Sequence, residues 1–386
     1  MTYYKYNVED KILCSKCGNK DSKYVGSKNG ILYCRKCITF QGEVVEYIPR
    51  KKGEIEYFLD FNLSKEQKEI SHKVKENYLN GKNTLIHAVC GAGKTEIVYE
   101  TIRVCLTTGG RVGFAIPRKD VVIELQPRIS KAFKKQKVVS VYGGHRDELV
   151  GDIVILTTHQ LYRYVNYFDL VIIDEVDAFP FQNNDILQTF FQKSLRSNYI
   201  LMSATPSDQT LETFKNQEIV KLFKRFHGYK LPIPQFIKKY MPLQVVFLIR
   251  KLKTYENEQK YTLVFTPTIA ICEKLYKILK LFFKSIDFVH SKRQKRKEIV
   301  EDFKIHNTTI LVTTSVLERG ITVPNLQVIV FQSDHRLYTH QVLTQIAGRV
   351  GRKSDYPDGD IYYLGEIETD EIKKSIQEIK TANEYM

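Results

Sequence analysis

The sequence lacks any apolar run that approaches the roughly 18 residues of a membrane-spanning helix. Its opening, MTYYKYNVEDK, also lacks the apolar stretch of a secretory signal peptide. Low-complexity tracts and short repeats are absent as well. We therefore expect a protein of the cytoplasm, where thiols stay reduced and disulfide frameworks are disfavoured.

Negative charge is in short supply, with 44 acidic residues against 59 lysines and arginines and a formal net charge of +15. This balance favours a polyanionic partner, either nucleic acid or an anionic membrane surface. A local basic run such as SKRQKRK at 291–297 is also typical of a solvated helix face. The 386 residues and the hydrophobic fraction of 43% suit a soluble protein of two domains with a small appendage.

Four of the seven cysteines stand near the start of the chain, in the pairs CSKC and CRKC. Two such pairs have the spacing of a four-thiolate zinc site, and Gly18 suits the tight turn that follows a metal-binding pair. The predicted zinc ligands are Cys14, Cys17, Cys34 and Cys37. The scattered Cys90, Cys105 and Cys272 are predicted to be core residues.

From residue 60 onward, short β-branched runs such as NTLIHAV and FDLVIIDEV alternate with helical patterns. This alternation predicts an α/β fold of parallel sheets with flanking helices. The run LPIPQFIKKYMPL has three prolines and no periodicity, which predicts a linker. The predicted domains are a zinc-binding module at 1–52, an α/β domain at 53–228, a linker at 229–243 and a second α/β domain at 244–386.

The run HAVCGAGKTE at 87–96 follows an apolar strand and leads into a helical pattern, which is the setting of a phosphate-binding loop. Glycines let backbone N–H groups approach phosphates, a lysine pairs with the β and γ phosphates, and a threonine hydroxyl binds Mg²⁺. Ala88 stands where the usual pattern has its first glycine, so an ordinary strand–turn–helix junction is the alternative. The predicted ATP-binding residues of the loop are Gly91, Ala92, Gly93, Lys94 and Thr95.

A second apolar strand ends in VIIDEVD, which places Asp174 and Glu175 side by side. Adjacent carboxylates repel each other, and a bound Mg²⁺ removes that penalty. We expect Asp174 to hold the metal and Glu175 to orient and polarise the attacking water. Together with the glycine loop, this pair predicts a nucleotide-hydrolysing site.

In content and order, these motifs resemble those of superfamily-two helicases. LSKEQ (63–67) resembles the adenine-reading Q motif, with Gln67 as the reader, and SAT resembles motif III, in which Ser203 and Thr205 would couple hydrolysis to nucleic-acid grip. VTTSVLERG (312–320) resembles motif V, and QIAGRVGR (345–352) resembles motif VI. The resemblance implies two tandem RecA-like domains and ATP hydrolysis stimulated by nucleic acid.

Arg349 and Arg352 are three residues apart, so a helix would present both on one face. In the helicases that they resemble, such arginines reach the nucleotide from the second domain and neutralise charge on the transferred phosphoryl group. Hydrolysis then depends on closure of the two domains.

The helicase resemblance also implies a nucleic-acid path across both domains. IPRKDV resembles motif Ia, TTHQL motif Ib and FTPT motif IV, and hydroxyls with backbone N–H groups suit sequence-independent phosphate contacts. A helix cap is the alternative role for each residue. The candidates are Pro117, Arg118, Thr158, His159, Thr266 and Thr314. Ser315 departs from the acidic residue that many RNA-remodelling relatives carry in motif V.

The combination of the cysteine module with CGAGKTE, DEVDAFP, SATPS and QIAGRVGRK is most similar to the ComFA family of DNA-uptake ATPases in naturally transformable Gram-positive bacteria. This resemblance implies a single-stranded-DNA-stimulated ATPase that is peripheral at the inner face of the cell membrane. It also implies two partners, a membrane DNA-uptake channel and a phosphoribosyltransferase-like competence protein.

Three other functions remain open from the sequence. They are a replication-restart or repair DNA helicase, an RNA helicase, and a zinc-ribbon nucleic-acid-binding protein whose motor has decayed. The intact Lys94, Glu175 and Arg352 weigh against the last of these. For the zinc module itself, a contact with DNA or a partner and a purely structural clip are equally compatible with the sequence.

Overall fold

The computed structural model describes residues 5–6, 12–145, 147–317 and 323–385. The chain forms two compact units. The first comprises residues 1–87 and 94–222, and the second comprises residues 88–93 and 223–386. In the part of the chain that the model describes, no helix is both long enough and apolar enough to span a membrane.

Two antiparallel hairpins stand at the start of the first unit. Their strands are β1 (Lys5–Tyr6), β2 (Ile12–Leu13), β3 (Val25–Lys28) and β4 (Ile31–Cys34), with β1 paired to β2 and β3 to β4. Asn29 and Gly30 connect β3 to β4, and both have positive φ angles, of 51° and 73°. This is the backbone that an Asn-Gly hairpin turn requires. The second hairpin therefore places Cys34 at a fixed strand end.

A seven-stranded sheet forms the core of the first unit. Its strands are β5 (Asn83–Ala88), β6 (Val112–Ile116), β7 (Val138–Val141), β8 (Ile153–Thr157), β9 (Phe168–Asp174), β10 (Leu195–Ser203) and β11 (Gln217–Leu222). The strand order is β11-β5-β10-β9-β6-β8-β7. In this spatial order, each pair of neighbours that follows β11 is parallel, beginning with β5 and β10 and ending with β8 and β7. Every residue of β6 and β8 is buried, as expected for strands covered on both faces.

The helices of the first unit pack around this sheet. They are α1 (Lys65–Leu79), α2 (Lys94–Ile97), α3 (Tyr99–Thr107), α4 (Lys119–Ala132), α5 (Asp185–Ser194) and α6 (Asp208–Thr213), with short 3₁₀ helices at Ser22–Tyr24 and Thr158–Arg163. A capping box starts α1, because Ser64 Oγ accepts from the Gln67 N–H while Gln67 Oε1 accepts from the Ser64 N–H. The buried Gln67 thus has a structural role at the start of α1.

The second unit contains a six-stranded parallel sheet. Its strands are β12 (Gln235–Lys238), β13 (Tyr261–Phe265), β14 (Ile286–Val289), β15 (Ile310–Thr313), β16 (Leu326–Val330) and β17 (Ile361–Gly365), in the order β12-β17-β16-β13-β15-β14. Its helices are α7 (Met241–Asn257), α8 (Ile269–Leu279), α9 (Arg296–Lys304), α10 (His340–Ala347) and α11 (Asp370–Glu384), with a 3₁₀ helix at Ser315–Leu317. The predicted fold class, two parallel-sheet α/β domains behind a cysteine module, is confirmed.

The segment 229–243 differs from the linker that its prolines predict. It contains the edge strand β12 and the first residues of α7. Proline is tolerated beside an edge strand and at the first positions of a helix, where Pro242 stands. The four residues of β12 are too few to show a periodic pattern, so the sequence interpretation missed this strand.

Candidate functional site

The predicted motifs of the first unit stand at the carboxyl ends of neighbouring strands. In the sheet, β10 lies between β5 and β9, and Ser203 pairs with His87 while Met202 pairs with Asp174. The glycine loop follows β5, the SAT motif begins on the last residue of β10, and the DEVD motif begins on the last residue of β9. Ligands bind at this edge in open parallel sheets. The sheet therefore brings the predicted motifs I, II and III to one edge.

The glycine loop has the backbone that its sequence predicts. Gly91 and Gly93 have φ angles of +83° and +76°, which side chains other than glycine rarely adopt. Lys94 opens α2 directly after the loop. Burial lowers the pKa of His87 to about 4, and the nearby positive charge of Lys94 contributes to that shift. His87 is therefore neutral at pH 7, next to a lysine that the motif requires to be charged.

A local backbone hydrogen bond holds the Asp174 carboxylate of the DEVD motif. Asp174 Oδ1 accepts from the Glu175 N–H at 2.9 Å, and Glu175 has a left-handed φ of +57°. A non-glycine residue in this conformation is uncommon and is concentrated at functional sites. The turn continues with the Ala178 N–H donating to the Glu175 carbonyl at 2.8 Å. The sharp turn at Glu175 thus follows directly from the strand end that carries Asp174.

Asp177 joins motif II to motif III, and the sequence interpretation assigned it no role. Its carboxylate accepts hydrogen bonds from the hydroxyls of Ser203 and Thr210. Ser203 Oγ in turn accepts from the Thr205 N–H at 2.9 Å. The available signal was its position as the last acid of DEVD. A shift at one motif must therefore displace hydrogen-bond partners at the other.

The donor sets fit the two predicted metals differently. The Asp174 carboxylate and the Thr95 hydroxyl are hard oxygen ligands of the kind that Mg²⁺ prefers. The four N-terminal cysteines are buried, and their sulfurs lie together. The Sγ atoms of Cys14 and Cys37 are 3.6 Å apart, and those of Cys17 and Cys34 are 3.7 Å apart.

These sulfur separations decide between a disulfide and a metal site. A disulfide requires about 2.05 Å between sulfurs. Tetrahedral zinc with Zn–S bonds of about 2.3 Å places its sulfur ligands about 3.8 Å apart. Hydrogen bonds from Cys17 and Cys37 lower the pKa of the Cys14 thiol, whereas the hydrogen bond with Cys14 raises the pKa of the Cys17 and Cys37 thiols, so the first thiolate is favoured at Cys14. The cluster therefore has the spacing and the chemistry of a zinc site.

The cysteine module packs against the segment that carries the predicted motif Ib. The ring of Phe40 stacks on His159 with centroids 6.2 Å apart and meets the edge of Phe190 at 5.0 Å. Tyr162 Oη donates to the Gln41 carbonyl at 2.7 Å. Residues 40–45, named here the module strap, therefore hold the 3₁₀ helix Thr158–Arg163.

Two further hydrogen bonds join Arg163 to the module strap. One guanidinium nitrogen donates to the Glu43 carbonyl at 2.9 Å, and the Val45 N–H donates to the Arg163 carbonyl at 2.8 Å. A β-carbon added at Gly42 would lie 2.5 Å from this guanidinium, which would have to move to make room for it. The module is thus a packed part of the first unit.

The predicted nucleic-acid contacts divide into two groups. The side chains of Arg118 and His159 are partly exposed. The side chains of the other candidates are buried, and the Thr266 hydroxyl already donates to the Thr313 carbonyl at 3.0 Å. The buried candidates are Pro117, Thr158, Thr266 and Thr314. Of these, Pro117 has no backbone N–H to donate, and the Thr266 N–H already donates to the Thr313 carbonyl at 2.7 Å.

Motif VI begins on α10 and ends beyond it. Thr339 caps α10, and the helix stops at Ala347, so Arg349 and Arg352 lie in the following turn. The expectation that a helix face presents both arginines is therefore wrong. Gly351 has a φ of +67°, which a helix cannot continue through. In the turn, Arg349 is buried, and Arg352 Nε donates to the Gly348 carbonyl at 3.0 Å.

Gly348 is packed so closely that no side chain fits there. A β-carbon at this position would lie 2.6 Å from Cβ of Cys90, a residue of the same unit. The predicted motif V falls partly outside the described residues, because Glu318, Arg319 and Gly320 lie in the gap at 318–322.

Comparisons with known families match two parts of the chain. Residues 60–208 match the family "Type III restriction enzyme, res subunit", and residues 244–354 match the "Helicase conserved C-terminal domain". Among solved structures, Dbp5 of S. cerevisiae bound to RNA and ADP BeF3 is similar with a TM-score of 0.64, 16% identity and coverage of 82% of this chain and 92% of that one. RecG bound to a three-way DNA junction is similar with a TM-score of 0.62 and 20% identity. The match covers 84% of this chain and 47% of that one. These structures share the fold.

Similar proteins cover nearly the whole chain. The competence protein ComFA of Bacillus subtilis (strain 168) is 35% identical over 396 residues, which cover 96% of this chain and 85% of that protein. ComFA of Streptococcus pneumoniae (strain ATCC BAA-255 / R6) is 34% identical over 394 residues, which cover 97% of this chain and 90% of that protein. The DNA helicase RecG of Treponema pallidum (strain Nichols) is 26% identical over 345 residues, with 80% and 50% covered. With its helicase domains, this chain is a nucleic-acid-dependent ATPase, and it belongs to the ComFA family.

Proposed function

We propose that this protein is an ATP-driven translocase that moves along single-stranded DNA and draws transforming DNA across the cytoplasmic membrane during natural competence. The observation that carries the proposal is the match, over almost the full chain, to competence proteins named ComFA. The proposed partners are single-stranded DNA, a membrane DNA-uptake channel and a phosphoribosyltransferase-like competence protein. The proposed location is the cytoplasm, peripheral at the inner face of the membrane.

In this proposal the glycine loop and the strand-end residues of the first unit bind and hydrolyse ATP. The N–H groups of the loop at 91–93 and the Lys94 ammonium bind the phosphates, and Gln67 reads the adenine. Thr95 and Asp174 hold Mg²⁺, which supplies charge neutralisation on the β and γ phosphates. Glu175 orients the attacking water, because its turn follows directly from the strand end at Asp174.

The second unit supplies two cations, and residues of both units contribute to the proposed nucleic-acid path. Arg349 and Arg352 stabilise charge on the transferred phosphoryl group. The signal of hydrolysis reaches the nucleic acid through Ser203 and Thr205. Asp177 takes part in this coupling, because it accepts a hydrogen bond from the Ser203 hydroxyl. Arg118 and His159 contact DNA phosphates with side chains, and Pro117, Thr158, Thr266 and Thr314 lie along the same path.

The deciding experiment is an ATPase assay with no polymer, single-stranded DNA, duplex DNA and RNA side by side. We expect single-stranded DNA to stimulate turnover most, and its affinity to fall steeply with salt because a chain with a net charge of +15 displaces counterions from phosphates. Equal stimulation by RNA would contradict the proposal.

A replication-restart or repair DNA helicase is the second candidate. The match to the DNA helicase RecG over 80% of this chain favours it. A forked DNA duplex separates the two functions, since a repair helicase unwinds it in an ATP-dependent reaction. Efficient unwinding together with normal DNA uptake in a deletion strain would favour the second candidate.

A further inference from the structure

A fully buried arginine stands in the segment that connects β11 to β12. Arg225 is 1% exposed, and among the described residues no carboxylate forms an ion pair with it. Burial, and next the charge of Arg352, lower the pKa of Arg225 to about 10, so its guanidinium is still charged at pH 7. A buried charge without a counter-charge is costly and is retained only where other contacts compensate for it.

The hydrogen bonds of Arg225 all go to one turn. Its Nη1 donates to the carbonyls of Val350 and Gly351 at 2.9 and 2.6 Å, and its Nη2 lies 3.5 Å from the Gly348 carbonyl. Gly348 comes directly before Arg349, and Val350 and Gly351 stand between Arg349 and Arg352, in the turn after α10. A planar guanidinium fork can hold several carbonyls at fixed angles, which a single ammonium cannot do.

His227 adds a second contact from the same segment. The Tyr229 N–H donates to His227 Nδ1 at 3.2 Å, so in the neutral ring the proton is on Nε2, which lies 3.0 Å from the Gly351 carbonyl and donates to it. Burial lowers the pKa of His227, which favours this neutral form. The Gly351 carbonyl therefore receives hydrogen bonds from both Arg225 and His227.

The turn itself has little freedom to adapt. Gly351 has a φ of +67°, and a β-carbon there would lie 2.1 Å from the Pro357 carbonyl oxygen and 2.9 Å from Arg225 Nη1. Arg225 Nε is buried and has no hydrogen-bond partner among the described residues. The guanidinium and the turn therefore hold each other in place, while the Nε donor of Arg225 remains unsatisfied.

We propose that Arg225 and His227, named here the linker clasp, are positioning residues for the ATPase reaction. They hold the backbone of residues 348–351 so that Arg349 and Arg352 start from fixed positions when they stabilise the transferred phosphoryl group. The inference rests on the proposed role of these two arginines. The clasp stands in the segment between β11 and β12. A movement of this segment would therefore shift the backbone of residues 348–351.

The test compares Arg225→Met with Arg225→Lys, Arg352→Met and the control Arg250→Met. Arg250 is an exposed arginine of α7 in the same unit. For each protein, kcat and KM for ATP are measured with saturating single-stranded DNA, together with the affinities for ADP and for ADP–aluminium fluoride, which imitates the transferred phosphoryl group.

We expect Arg225→Met to lower kcat by about 30-fold or more and to weaken ADP–aluminium fluoride binding by about tenfold, as loss of transition-state charge stabilisation requires. KM and ADP affinity should stay within about threefold, because ground-state binding is not affected. Arg225→Lys keeps the charge without the fork and should recover only part of kcat. Arg250→Met should match the wild type.

His227 provides an independent arm if Arg225→Met does not fold, since His227 is partly exposed. His227→Ala should lower kcat by about three- to tenfold with the same signature, and His227→Gln, which can donate to the Gly351 carbonyl, should restore it. Wild-type kcat in Arg225→Met and His227→Ala, with a large loss in Arg352→Met, would overturn the inference alone. Wild-type kcat in Arg352→Met would overturn both the inference and the arginine role in the proposed function.

Discussion

The two units share a parallel-sheet architecture but hold their predicted functional residues by different means. In the first unit, Asp174 and Ser203 are the last residues of strands, and neighbouring strands fix them in register. In the second unit, Arg349 and Arg352 stand in a turn beyond a helix. That turn is held by side chains from more than 100 positions earlier, since Arg225 and Gly351 are 126 positions apart.

This difference indicates how each unit responds to change. A strand end in a buried sheet keeps its geometry unless the core itself is disturbed. A turn held by a few hydrogen bonds to a connecting segment changes when that segment moves. In the proposed function, the first unit would provide the rigid part of the reaction centre, and the second the part that can be regulated.

The largest effect should come from the strand-end chemistry of the first unit. Lys94→Ala should reduce single-stranded-DNA-stimulated ATP hydrolysis by at least about 10³-fold, because it removes the phosphate-binding charge. Glu175→Gln should bind ATP and DNA but turn over about 10²–10³-fold more slowly. Steady-state ATPase and nucleotide-binding assays check both. Unchanged turnover in Lys94→Ala would refute the phosphate-loop assignment, and loss of nucleotide binding in Glu175→Gln would make that carboxylate structural.

The cysteine module tests whether part of the first unit is also held by contacts from a distant segment of the chain. Cys14→Ser/Cys17→Ser should lose zinc, and it should weaken single-stranded DNA binding by about fivefold because the module strap holds the segment of His159. Metal content by mass spectrometry and DNA affinity by fluorescence anisotropy check the outcome. Phe40→Ala is the matched variant, since it should keep zinc and still weaken DNA binding. Full affinity in both variants would reduce the module to a structural clip.

The smallest effect should come from one histidine, His87. Burial lowers the pKa of His87 to about 4, below its value of about 6.5 in the unfolded chain, so the unfolded state binds the proton more readily. The stabilising effect of a neutral His87 is present above pH 6.5 and is lost as the pH falls towards 4. We expect His87→Gln to flatten the decline in thermal stability between pH 6.5 and 5, with an effect of about 1–2 kcal/mol. An unchanged decline would mean that His87 is protonated in the folded protein.

The sheet-borne features were predictable because their signals are local. Buried β-branched runs that end in glycine or acidic residues predicted both the strands and the motif positions at Lys94 and Asp174. The pairing of four cysteines likewise predicted a common cluster, and the structure brings their sulfurs together.

Other features depend on contacts that no local pattern records. Arg225 looks like any surface arginine in the run KLFKRFHG, and only the distant carbonyls of the motif VI turn explain its burial. The end of α10 at Ala347 was missed because a spacing of three residues is compatible with a helix and with a tight turn. The buried threonine hydroxyls at 158 and 266 were assigned from motif similarity, which carries no information on burial.

The second unit contains one more long-range contact, between Leu231 and Asn383. The Leu231 N–H donates to Asn383 Oδ1 at 2.8 Å, and Asn383 Nδ2 donates back to the Leu231 carbonyl at 2.9 Å, across 152 positions. A ribosome adding about 5–20 residues per second needs roughly ten to thirty seconds to travel that distance. During this interval the backbone groups of Leu231 hydrogen-bond to water, so this pair of bonds closes only after almost the whole second unit has been synthesised.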